Sequence, residues 1–149
     1  MAKIITCNAN GIRAAARKGL FDWLAREQAD IVCIQETKVV DELFPAEPLE
    51  NLGYHPVFRG QKSYNGVAVM AKEEPEDVRF GFDDGGPADE TRFVQCRVGE
   101  VTVVNTYVPQ GREIFPLLTV RENLQTGLFD DDIAALVTHL NTTYYKFPR

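Results

Sequence analysis

Apolar residues fall along this chain in short runs whose spacing changes character several times. Lys3-Ile4-Ile5-Thr6-Cys7 reads as a first strand, stopped by the turn chemistry of Asn8-Ala9-Asn10-Gly11. From about Ala14 to Gln28 the spacing becomes helical. Leu20, Phe21, Leu24 and the flanking alanines share one face, while Arg17, Lys18, Asp22 and Arg26 fall largely elsewhere. Ile31-Val32-Cys33-Ile34 is then an unbroken apolar run between Asp30 and the polar tetrad Gln35-Glu36-Thr37-Lys38. Such a run predicts a strand covered on both faces, as in layered α/β proteins, with the tetrad arriving where the strand ends. Strand, helix and strand form a βαβ unit with two parallel strands and a right-handed crossover, which brings Asn8 and Glu36 to the same edge.

A second helix or irregular segment is expected from Asp41 to Leu52, broken by Pro45 and Pro48 and ended by Gly53. The texture then turns to β. Tyr54 to Arg59, Gly66 to Ala71, Val78 to Phe82, Thr91 to Arg97 and Val101 to Tyr107 are short β-prone runs between clusters of Gly, Pro, Asp and Asn. Ser63-Tyr64-Asn65-Gly66 carries an Asn-Gly turn signal, and Pro109 and Gly111 close the last run just after Tyr107. Asp130 to Asn141 has the pattern of one more amphipathic helix, with Ile133, Leu136, Val137 and Leu140 on its apolar face.

Length and composition add bounds to this α/β reading. At 149 residues the chain fits one domain able to bury a core. No run approaches the roughly 18 apolar residues that span a bilayer, and the N-terminus lacks a secretory apolar segment, so a cytoplasmic location without membrane contact is expected. The three cysteines, Cys7, Cys33 and Cys96, sit inside apolar runs without C-x-x-C spacing, which favours buried reduced thiols over disulfides or zinc. A formal charge of −6 offers no broad basic footprint for sequence-blind binding of nucleic acid. A bound divalent cation could still supply positive charge locally to a phosphodiester enzyme.

The candidate chemistry sits at the predicted strand ends. Oxygen-bearing side chains converging from separate strands, here Asn8 and Glu36, are what a hard-cation site requires; an ordinary strand exit with solvated charges is the plainer alternative. Tyr107, near the end of its strand, could donate to a phosphoryl oxygen or simply pack on the sheet rim. Arg59 and Lys62 lie just ahead of the Asn-Gly turn, where they could meet a phosphate backbone or stand in solvent.

Four motifs together carry a resemblance: I-I-T-C-N-A-N-G-I-R at 4 to 13, D-I-V-C-I-Q-E-T-K at 30 to 38, S-Y-N-G-V-A-V at 63 to 69 and V-N-T-Y-V-P-Q-G at 104 to 111. In this order and spacing they resemble the exodeoxyribonuclease III group of apurinic/apyrimidinic (AP) endonucleases, within the endonuclease/exonuclease/phosphatase superfamily. The resemblance implies part of a four-layered α/β sandwich and a magnesium (or manganese) cofactor. It also implies hydrolysis of DNA phosphodiesters at abasic sites or 3′ ends in base-excision repair. Carried over by residue, it makes Glu36 the metal-ligating glutamate, Asn8 the asparagine beside that metal and Tyr107 the contact to the scissile phosphate. Arg13, Lys38, Lys62 and Asn65 are the expected DNA contacts.

Two later elements of that group, an Asp-x-Asn pair and a Ser-Asp-His, do not occur in this sequence, whose only histidines are His55 and His139. The chain therefore divides into an exonuclease III-like portion, 1 to 111, and a divergent, helical tail, 112 to 149. Residues 107 to 127 also resemble the Q-loop segment of transporter ATPases, although no phosphate-binding G-x-x-x-x-G-K-[ST] loop is present. The expected function is a metal-dependent DNA phosphodiesterase in truncated or chimeric form. The alternative is a non-catalytic remnant that touches DNA weakly. A first half standing alone would leave a sheet face uncovered and prone to self-association.

Overall fold

Strand β2 (Ile31–Gln35) is the axis on which the layers are assembled, because its side chains enter two different cores. In the computed structural model, which describes residues 2–81 and 91–108, β2 pairs in parallel with β1 (Ile4–Asn8) and antiparallel with β4 (Val67–Ala71). β3 (His55–Arg59) pairs antiparallel with β4, giving a four-stranded sheet in the order β1-β2-β4-β3. A second sheet, in the order β5-β6-β7, is built from Glu76–Arg79, Phe93–Val98 and Val101–Thr106.

The pleat sorts the central strands. Val32 and Ile34 of β2, with Ala68 and Met70 of β4, face a core shared with Ile12, Leu24, Leu49 and Tyr54. Ile31, Cys33, Val67, Val69 and Ala71 point the other way and meet Val94, Cys96, Val98 and Val103 of the second sheet. Successive side chains of a strand face opposite sides, so a strand apolar at every position must be covered twice. The described residues thus form three layers: helices, a mixed sheet and an antiparallel sheet.

The single helix expected from Ala14 to Gln28 is two helices, α1 (Ile12–Arg17) and α2 (Leu20–Glu27). Gly19, at φ +91°, turns the chain between them, and the Lys18 and Gly19 amides close α1 on Ala15 and Ala16 carbonyls at 3.0 Å. A glycine at this left-handed position costs little and ends a helix, so the apolar stripe continues across a break that periodicity does not register. The segment after β2 is a short 3-10 turn, Asp41–Leu43, followed by α3 (Ala46–Asn51). Strand β5 begins two residues before its expected start and ends at Arg79. Cys33 and Cys96 are buried free thiols, while Cys7 is only partly buried. The expected helix at 130 to 141 and the Q-loop-like stretch beyond 108 lie outside the described residues.

Candidate active site

Parallel pairing sets the site. The β1–β2 register places Asn8 opposite Gln35, so Asn8 and Glu36 leave adjacent strands at the same sheet edge. Beyond that edge three turns interlock. Gly11 N donates to Glu36 O at 2.7 Å and Ile12 N to Thr37 O at 3.0 Å, while Thr37 N donates to Gly66 O at 3.2 Å and Lys38 N to Asn65 O at 2.9 Å. The Glu36 segment is therefore held from both sides by the loops that follow β1 and precede β4.

That clamp imposes an uncommon backbone. Asn10, Glu36, Lys38, Ser63 and Asn65 all adopt positive φ, between 45° and 70°. Glutamate and lysine gain nothing locally from this conformation, and such residues persist only where surrounding bonds over-determine them, often at functional sites. Thr37 fills the space between the turns. It is 1 % exposed, and a Cβ built on Gly66 would stand 1.9 Å from its Oγ1.

Around Glu36 the side chains converge from distant parts of the sequence. Tyr107, just past the end of β7, donates its hydroxyl to Glu36 Oε1. Lys38 Nζ lies 2.9 Å from Glu36 Oε2 and donates to Asn10 Oδ1 at 2.6 Å. The Asn8 side chain lies beside Glu36, and its Oδ1 accepts the Asn10 amide at 2.9 Å. The Tyr107 hydroxyl first, then Lys38, with a smaller contribution from Asn8, holds the Glu36 carboxyl below its ordinary pKa. The same hydrogen bond, aided by burial and the carboxylate charge, pushes the Tyr107 phenol up to about 12. At neutral pH the pair is a carboxylate and a neutral phenol that donates to it.

This donor set fits a hard cation. An ammonium is already shared between the Glu36 carboxylate and the Asn10 amide oxygen, with the Asn8 amide beside it. Among the described residues no group of three or more His, Cys, Asp or Glu side chains gathers, so any divalent ion here would take few protein ligands and keep several waters. Of the expected DNA contacts, Arg13 stands exposed on α1, Lys38 is engaged with Glu36, and Lys62 and Asn65 lie in the loop before β4. Beside Asn10 a shallow cleft of about 320 Å³ is lined by Ala14, Ala15, Lys18 and Trp23.

Two residues belong to this site that motif reading passed over. Gln35 Nε2 donates to Thr6 Oγ1 at 3.0 Å and to Asn105 Oδ1 at 2.6 Å, and Asn105 is buried between the sheets. The available signal was a lone amide at 105 in a run otherwise built of Val and Thr.

A mixed α/β core with a carboxylate, an ammonium, a phenol and amides gathered at one sheet edge defines a layered α/β protein with a polar site at its strand ends. The sequence profile of the Endonuclease/Exonuclease/phosphatase family matches residues 5–145, and the chain belongs to that family. It is 41 % identical over 113 residues to exodeoxyribonuclease III of Haemophilus influenzae, a match covering 73 % of this chain and 42 % of that protein. It is 36 % identical over 111 residues to an exodeoxyribonuclease of Bacillus subtilis, covering 74 % and 44 %. Among solved structures, an AP endonuclease from Archaeoglobus fulgidus superposes with a TM-score of 0.69 at 39 % identity, over 97 % of this chain and 53 % of that one. The 3′ phosphatase NExo from Neisseria, bound to product DNA hairpin, gives 0.65 at 34 % identity, over 72 % and 41 %. The chain spans about two-fifths to one-half of the length of these relatives.

Proposed function

We propose that this chain carries the cation-binding and phosphate-binding part of a DNA phosphodiesterase of the exodeoxyribonuclease III and AP endonuclease type. One observation carries the reading: Tyr107, from beyond β7, and Lys38 both bond the Glu36 carboxylate, with Asn8 beside it at the end of β1. Glu36, with the amide oxygens of Asn8 and Asn10 beside it, would hold the magnesium or manganese ion. Such an ion supplies charge neutralisation for phosphoryl oxygens as a phosphodiester is attacked. Tyr107 orients the carboxylate by donating its one hydroxyl proton to it, and that donor would turn to a phosphoryl oxygen when a phosphodiester is bound. Arg13, Lys62 and Asn65 contact the backbone of the duplex and set its register without reading sequence.

The acid–base part of the reaction is weaker in this chain. The sequence contains neither an Asp-x-Asn nor a Ser-Asp-His, and each general acid or base is typically worth about 10²–10⁴-fold in rate. Groups that act as a unit are also strongly non-additive. The chain alone therefore binds abasic duplex DNA weakly, with salt-sensitive affinity, and turns it over near background.

Single-turnover cleavage of a labelled abasic duplex, with and without magnesium, tests this reading, with Glu36→Ala and Tyr107→Phe as controls. Binding that weakens with salt, without useful cleavage, is expected. Robust magnesium-dependent incision that is lost in Glu36→Ala would show that other groups replace the missing acid and base. Absence of both binding and cleavage would leave only a shared fold.

A further inference from the structure

Tyr107 and Glu36 meet across two sheets, and an interface of aliphatic side chains has no directional bond to fix how one sheet slides on the other. At the rim the Gly66 amide donates to Thr91 O at 2.8 Å; inside the interface, next to Tyr107, Asn105 supplies the directional bonds. It is 2 % exposed, on the inward face of β7 with Val103 and two positions before Tyr107. Its Nδ2 donates to both Ile34 O and Ala68 O at 2.9 Å, which are register partners across β2 and β4. Its Oδ1 accepts Gln35 Nε2 at 2.6 Å, and Gln35 in turn holds Thr6 of β1. One amide thus ties β7 directly to β2 and β4, and through Gln35 to β1, with its β2 partners immediately before Glu36. Only a primary amide offers two donors and an acceptor together, so neither Ser nor Thr, nor an aliphatic of the same size, can replace all three bonds.

We propose that Asn105 is the positioning residue that seats Tyr107 on Glu36, locking the sliding register of the second sheet over the end of β2. The proposal rests on the reading of Glu36 and Tyr107 as the working pair. A buried amide that is merely satisfied would contribute stability alone. A positioning amide also sets the geometry two residues further on. Asn105→Thr keeps one donor and the strand preference while breaking the three-way bond. Val103→Ala, on the same face of the same strand, removes packing without touching the amide and is the structural control.

The test uses the chain with its five tyrosines replaced by 3-fluorotyrosine, the Tyr107 fluorine resonance being identified by its loss in Tyr107→Phe. Folding is checked by thermal melts, and cation affinity by titration with manganese ion. Asn105→Thr is expected to move the resonance to its position in Glu36→Ala and to weaken manganese binding about tenfold or more, the usual size of such effects on ligand orientation. Val103→Ala, even with a comparable drop in melting temperature, should leave both unchanged. An unmoved resonance in Asn105→Thr, or an equal shift in Val103→Ala, overturns the proposal. If Asn105→Thr does not fold, Gln35→Met, which removes the acceptor-side bond at a partly buried position, must shift the resonance partway, and no shift overturns it. A parent chain that binds no manganese would remove the cation reading, while the fluorine result would still decide the role of Asn105.

Discussion

The Tyr107 hydroxyl donates to Glu36 although the two residues stand 71 positions apart and on different sheets. Each partner alters the other's titration. A phenol whose pKa is raised to about 12 contributes stability that is complete below the unfolded value of about 10 and is lost as pH rises through 12. A carboxyl whose pKa is lowered contributes stability present above the ordinary carboxylate range and lost as acid protonates it. Spectrophotometric titration should show a component ionising near 12 that is absent from Tyr107→Phe and moved toward about 10 in Glu36→Ala, while Tyr54, raised by its burial, is unchanged in both. Urea denaturation of the parent and of Tyr107→Phe should converge at both pH extremes. A parent in which every tyrosine ionises near the ordinary value would remove the contact.

Cation binding should depend on Glu36 and be opposed by Lys38. The ammonium 2.9 Å from Glu36 Oε2 occupies the side of the carboxylate that Tyr107 leaves open, and it must swing away before an ion can be held there. Calorimetric titration with magnesium or manganese should show weak binding that Glu36→Ala abolishes. Lys38→Met should bind up to about fivefold tighter, since a partly exposed ion pair is worth roughly 0.2–1 kcal/mol, and should bind DNA less well. Equal affinity in Glu36→Ala and the parent would place the cation elsewhere.

What the sequence discloses here depends on the range of the interaction. The burial of β2 on both faces could be read because an unbroken run of Ile, Val, Cys and Ile has no polar face to show to solvent. The approach of Asn8 to Glu36 followed from one local rule, the parallel βαβ crossover. The break at Gly19 escaped because an apolar stripe on two successive helices keeps nearly the same spacing as on one. The Tyr107–Glu36 bond and the role of Asn105 depend on how one sheet rides over another, and hydrophobic patterning specifies which face is covered but not the offset. The positive φ of Glu36 and Lys38 was hidden too, because neither residue type announces a left-handed turn.

The two buried thiols, Cys33 and Cys96, should be inert in the folded chain. Burial first, with the neighbouring Cys96 and Cys7 adding to it, pushes Cys33 up to about 12, and burial alone pushes Cys96 up to about 11. Cys7, only partly buried, is raised by burial as well. Since the thiolate is the reactive species, iodoacetamide at pH 8 should label Cys33 and Cys96 only after denaturation, with Cys7 the first to react. Mass spectrometry of the labelled peptides reports the order. Rapid native labelling of Cys33 would show that the layer between the sheets opens.

Gly66 is the position where a single methyl group should cost most at the site. Its φ is +94°, and an added Cβ would stand 1.9 Å from Thr37 Oγ1, 3.1 Å from Thr37 Cβ and 3.3 Å from Lys38 N. Thr37 cannot move aside, because it is buried and its backbone is bonded to both Ile12 and Gly66. Gly66→Ala should therefore lose about 1–3 kcal/mol in urea denaturation, from overpacking added to the left-handed strain. It should also weaken cation binding, since the turn that must yield is the one carrying Glu36 and Lys38. Thr37→Ala in the same chain removes the closest clash and should restore part of the stability. The contact with Lys38 N remains, so the rescue should be incomplete. A Gly66→Ala chain as stable as the parent, with unchanged manganese affinity, would show that the three turns are not clamped together as the hydrogen bonds between them imply.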